Sequence, residues 1–127
     1  MKYLLDTHTL IWLLEESPLL SARAKEILIA RENSIYVSAV SLWEIAIKVN
    51  LDKLKLRFTF GELLNKVKNS TIEVLQIEDE YLKKLSTLPF IHKDPFDRLL
   101  ISTALVENLT IITADADIQR YDVPRIW

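Results

Sequence analysis

The sequence predicts an α/β fold in which helices cover a mainly parallel sheet. Three observations carry that expectation. Short runs rich in β-branched and aromatic residues alternate with stretches of helical periodicity along the 127 residues. Half of the residues are hydrophobic, enough for a sizeable core. No repeat, low-complexity tract or linker interrupts the pattern, so residues 1–127 are expected to form a single domain.

The elements follow in order. KYLL at 2–5 is the first strand, and a helix is expected over 8–14. A second helix, 21–31, begins at Ser21, a good N-cap. SIYV at 34–37 is the second strand and leads to a helix over 41–50. Thr59 and Glu62 have the spacing of a capping box and open a helix over 60–69. IEVL at 72–75 supplies a third strand, followed by a helix over 78–87. In HKDPFDRLLISTA, Asp94 caps and Pro95 begins a helix running over 95–107. LTIIT at 109–113 is a fourth strand and VPRIW at 123–127 a short fifth, which makes a sheet of four to five strands.

Bulk properties exclude several functions. With no cysteine the chain can form neither disulfides nor thiolate metal sites, which fits a reducing compartment. The lone glycine, Gly61, rules out glycine-rich phosphate loops. A formal charge of -2 gives no global pull on nucleic acid, so polyanion binding would need a local patch or metal ions. Asp6 and His8 interrupt the apolar N-terminal stretch, which reads as a folded strand and helix rather than a signal peptide. No run approaches the roughly 20 apolar residues of a membrane span. A soluble, cytoplasmic protein without a membrane partner is expected.

The acids are the informative residues. In a parallel sheet, Asp6 after the first strand and Asp115 after LTIIT both lie at the carboxyl edge, where open α/β sheets bind ligands. Glu44 and Asp97 lie near the starts of helices, and helices that follow strands begin at that same edge. Each acid alone has a structural explanation. Asp6 could cap a helix, Glu44 could complete a capping box with Ser41 or pair with Lys48, and Asp115 and Asp117 suit a turn. Capping does not explain why four acids should gather on one edge. Clustered carboxylates repel, and a divalent cation resolves the conflict. Donors that are all oxygen favour magnesium or manganese over zinc, and such ions assist phosphate-ester hydrolysis.

The motifs LLDTHTLIWLL, SAVSLWEIAIK, HKDPFDRLLISTA and TADADIQRYDVPRIW, in that order, resemble the PIN-domain ribonucleases, and specifically the VapC-like toxins of type II toxin-antitoxin pairs. The resemblance spans almost the whole chain. It implies a three-layer α/β/α sandwich, an acidic quartet holding one or two Mg2+ or Mn2+ ions, and endoribonuclease activity. Carried over by motif, the quartet is Asp6, Glu44, Asp97 and Asp115, with Asp117 as a further ligand through water. Thr7 and Thr113 take supporting roles, and Arg98 is a candidate contact to RNA phosphates. His92 is left outside the catalytic set as a loop histidine. The lysines of 48–58 read mostly as a solvated face, and Trp12, Trp43 and Trp127 as core or subunit-interface residues. The family further implies a cognate antitoxin and a homodimer.

Two other enzyme classes fit less well. A haloacid-dehalogenase phosphatase needs a second acid where His8 stands, and a receiver domain needs an early acidic pair that residues 1–10 do not offer. A non-catalytic acidic module that binds a basic partner is the alternative from another class. Metal-dependent cleavage separates it from a nuclease.

Overall fold

The computed structural model describes all 127 residues. Its strands are β1 (Lys2–Leu5), β2 (Ser34–Ser38), β3 (Glu73–Leu75), β4 (Thr110–Ile112) and β5 (Arg125–Ile126). The helices are α1 (Thr7–Leu14), α2 (Ala22–Ile29), α3 (Ala39–Asn50), α4 (Phe60–Lys68), α5 (Asp79–Ser86) and α6 (Pro95–Glu107), with a 3₁₀ turn at Ile118–Arg120. The five strands are all parallel, in the order β3-β2-β1-β4-β5. The chain steps outward from β1 to β3, then returns to lay β4 on the other side of β1. The loops after β1 and β4 therefore part at the carboxyl edge and open a crevice between them.

Alternation along β1 divides the core. Tyr3 and Leu5 face a cluster with Leu10, Ala24, Ile45 and Leu63, from α1, α2, α3 and α4. Leu4 faces the opposite cluster with Leu100, Ile101 and Ala104 of α6 and Ile118 of the 3₁₀ turn. Helices thus cover both faces, and the three layers expected of the sequence are present. Because both faces are covered, β1 is apolar at every position from Tyr3 to Leu5. Leu4, Leu5, Ile111 and Ile112 are wholly buried, each contributing about 1.5–3 kcal/mol by removal from water.

Local chemistry sets the helix starts. Ser21 accepts from the N–H of Ala24 at 3.0 Å, and Asp94 accepts from Phe96 and Asp97 at 2.9 and 3.1 Å. Thr59 accepts from Glu62 N–H at 3.1 Å and donates its hydroxyl to the Glu62 carboxylate at 3.3 Å. One expectation is corrected. Helix α3 starts at Ala39 with Ser38 as N-cap, so Ser41 lies inside the helix and Ser41 with Glu44 is not a capping box. The fifth strand shrinks to two residues, because Val123 and Pro124 precede the pairing with Ile111 and Ile112.

Candidate active site

Asp6 lies at the junction of β1 and α1 and caps that helix. Its Oδ1 accepts from Thr9 N–H at 2.7 Å, and its Oδ2 accepts a short hydrogen bond from the Thr113 hydroxyl. Thr113 just past β4 also accepts from the N–H of Asp115 at 2.9 Å, so one hydroxyl ties two acids on adjacent strands. Asp115 holds its own turn through Oδ1, which accepts from Asp117 N–H at 2.7 Å and Ile118 N–H at 3.2 Å. Its Oδ2 accepts nothing from the protein.

Glu44 sits in the second turn of α3 and is only 3% exposed, an unusual place for a carboxylate without a task. Thr7 donates to its Oε1 at 2.7 Å, and the Lys48 ammonium meets its Oε2 at 2.5 Å. Burial opposes the charge on Lys48. The bond to Glu44 and the fields of Glu44, Asp94 and Asp97 outweigh that burial and raise its pKa overall.

Asp97, in the first turn of α6, carries the largest perturbation. Burial is the main cause, and although the His92 hydrogen bond opposes it, the neighbouring Asp94, Asp115 and Glu44 push the same way, up to about 7. Acids from α3, α6 and the loop after β4 therefore feel one another. A chain of bonds orients this carboxylate. Arg98 donates to the Tyr121 hydroxyl at 3.0 Å, Tyr121 lies 2.8 Å from His92 Nδ1, and His92 Nε2 lies 3.1 Å from Asp97 Oδ2. The imidazole thus bridges the Tyr121 hydroxyl and the Asp97 carboxylate, and its hydrogen bond to Asp97 favours the ionised acid.

One sequence assignment is revised. Arg98 does not face solvent; it is buried, its guanidinium donating to the carbonyls of Pro89 and Leu88 and to Tyr121, and it holds the 88–92 loop against α6. An adjacent acid made it look like a surface cation, but at 98 the helix turns inward. Asp117 is exposed just ahead of the 3₁₀ turn; its N–H donates to Asp115 at 2.7 Å and its carboxylate pairs with Arg120 at 3.2 Å. The role of His92 was legible only in part, because its nearness to Asp97 in sequence says nothing about Tyr121, 29 residues away. Trp43 is 58% exposed and packs edge-on against Phe96.

Asp6, Glu44, Asp97 and Asp115 thus come from four elements that meet at the carboxyl edge, around the crevice between β1 and β4. A family model for the PIN domain matches residues 3–124. The chain belongs to the PIN-domain family.

Nucleases of the PIN family hydrolyse nucleic acids and generally depend on a divalent metal. Solved structures share the fold over almost the whole chain. VapBC2 from Rickettsia felis, bound to a DNA fragment from its promoter, gives a TM-score of 0.75 at 21% identity, covering 99% of this chain and 98% of that one. FitAcB from Neisseria gonorrhoeae gives 0.71 at 20% identity, with 98% and 96% covered. A toxin-antitoxin complex from Klebsiella pneumoniae gives 0.63 at 20%, with 98% and 96% covered. A comparison with curated protein sequences finds no match.

The side chains fit a hard cation in their chemistry. All donors are oxygen, and the one neighbouring cation, Lys48, does not offset the four carboxylates. No three carboxylate or imidazole groups are gathered closely enough to grip an ion as they stand.

Proposed function

We propose that this protein is an Mg2+- or Mn2+-dependent endoribonuclease, the toxin of a toxin-antitoxin pair, working with one or two ions at Asp6, Glu44, Asp97 and Asp115. The observation that supports this reading is the convergence of those acids, with Asp97 pushed up to about 7 by burial first and by the neighbouring charges of Asp94, Asp115 and Glu44 second. PIN-family membership supports hydrolysis of nucleic acid, and RNA as the substrate is our reading. The toxin-antitoxin complex from Klebsiella pneumoniae among the structural neighbours supports a cognate antitoxin that binds this chain. A homodimer is proposed on the family resemblance.

In this reading the chain's own residues prepare a charged, rigid pocket. Asp115 Oδ2 and Asp97 Oδ1, which accept no hydrogen bond from the protein, would hold the cation directly. Asp6 and Glu44 are fixed by Thr113 and Thr7 and would bind it through water. His92 and Tyr121 keep the Asp97 carboxylate turned towards the crevice. The bound cation supplies neutralisation of the phosphoryl charge and acidification of a water. Lys48, paired with Glu44, is placed to balance negative charge whether or not substrate is present.

The test is cleavage of RNA by the purified, antitoxin-free chain. Cleavage is expected with magnesium or manganese, none with chelator, and none from Asp97→Asn. Activity that persists in chelator, or survives Asp97→Asn, removes the reading and favours an acidic interaction module.

A further inference from the structure

Beside the acids runs a strip of aromatic and cationic side chains to which the cleavage chemistry gives no task. Asp6 and Asp115 share an open cavity of about 220 Å3 with His8 and Trp12. The His8 and Trp12 rings lie 5.8 Å apart, and Trp12 meets Trp127 edge-on at 5.6 Å. Trp127 lines a second cavity, of about 430 Å3, together with Thr113, Arg23 and Arg125. Thr113 is the residue that bonds to Asp6, and Ala114 beside it lines the first cavity, so the two cavities adjoin at the end of β4.

Arg23 and Arg125 are exposed, and neither pairs with an acid of the chain, whose four ion pairs involve other cations. Arg98 and Arg120, by contrast, are engaged internally. A protein of net charge -2 whose reactive edge is acidic repels a polyanion unless local cations offset that field. Aromatic rings next to a cationic groove are what single-stranded nucleic acid needs, because rings stack bases and guanidinium groups take phosphates.

We propose that this strip binds single-stranded RNA. An unpaired base lies against His8 and Trp12 in the smaller cavity, next to Asp6 and Asp115, and the adjoining phosphates pass Trp127 to Arg23 and Arg125. The choice of RNA rests on the ribonuclease reading above; the placement rests on the strip. It also gives His8 and Trp12 a role beyond packing.

The experiment is anisotropy of a fluorescently labelled single-stranded oligoribonucleotide, titrated in magnesium with full-length Asp97→Asn protein, across a range of salt. Added to that parent, the pair Arg23→Gln and Arg125→Gln should weaken binding about tenfold or more. It should also flatten the plot of log affinity against log salt by about 1.4, or 0.7 per lost phosphate contact. His8→Ala should weaken binding about fivefold or more with the salt slope unchanged, since stacking is not ionic. His8 is exposed, so its removal does not endanger the fold, and Trp12→Leu should act in the same direction. Lys83→Gln with Lys84→Gln, on α5, should bind like the parent.

An unchanged salt slope in the arginine pair, parent-like binding by His8→Ala, or an equal loss in the α5 control overturns the proposal. So does a change of oligomeric state in the arginine pair with RNA binding intact, which would mark a protein interface. Cleavage is scored separately on wild type. No cleavage, with binding that still follows the strip, defeats the ribonuclease reading alone; cleavage with binding indifferent to the strip defeats this proposal alone.

Discussion

Replacing Asp97 with asparagine should make the protein more stable while silencing it. Sign and size both follow from the site. A carboxyl moved from 3.8 to about 7 is, when ionised, a destabilising charge in the folded state. At about 1.4 kcal/mol per pH unit, the penalty at pH 8 is at most about 4 kcal/mol. Partial exposure and the lost charge on the His92 bond reduce it, leaving an expected gain of about 1–3 kcal/mol for Asp97→Asn. Because the folded pKa is raised for an acid, the native state binds the proton more tightly. The penalty is complete above about pH 7 and fades as pH falls from 7 towards 3.8. Thermal melts in chelator should therefore place Asp97→Asn above wild type by several degrees at pH 8 and close to it at pH 4.5. Magnesium at a hundredfold excess over its Kd should add about 2.7 kcal/mol to wild type and much less to the variant. A variant that melts at or below wild type in chelator at pH 8, or a difference independent of pH, would refute the reasoning.

Three further outcomes are expected. Thr113→Val removes the hydroxyl that ties Asp6 to Asp115, and should lower cleavage by about 10–100-fold; unchanged steady-state rates would free that hydroxyl of a positioning role. Arg98→Met leaves the carbonyls of Pro89 and Leu88 and the Tyr121 hydroxyl short of a donor, and should cost about 2–4 kcal/mol in urea denaturation, whereas an RNA-contacting residue would show little loss of stability. Glu16 and Asp52 have φ of 53° and 55°, so Glu16→Gly and Asp52→Gly should each add about 0.5–1 kcal/mol in the same assay, and a loss at either position would show that its side chain contributes more than the strain costs.

The order of elements was legible because each carries its own signal. Leu4 between Tyr3 and Leu5 gives a strand buried on both faces, and Asp94 with Pro95 gives the start of α6. Strand order was not legible, since nothing local in IEVL says that it pairs with SIYV at the sheet edge. For Asp6, Glu44 and Asp115 the common edge could be read from the strands they follow, but Asp97 opens a helix that follows α5 and a loop, so its arrival there could not. Nor could the acids' partners. Thr113 reaches Asp6 across 107 residues, and Tyr121 reaches His92 across 29. Arg98 was misread because adjacent charges suggest a common surface, although successive helical residues point about 100° apart. The structural explanations for single acids proved compatible with the site. Asp6 caps α1 with one oxygen and takes the Thr113 bond with the other, so capping and clustering occur together.

The claim on which the rest depends is that Asp6, Glu44, Asp97 and Asp115 serve one cation site. Electron paramagnetic resonance of Mn2+ titrated into wild type and into Asp6→Asn, Glu44→Gln, Asp97→Asn and Asp115→Asn tests it directly. Wild type should bind one or two ions, and each substitution should weaken binding about tenfold or more. Binding of Mn2+ by all four variants as tightly as by wild type would contradict the account.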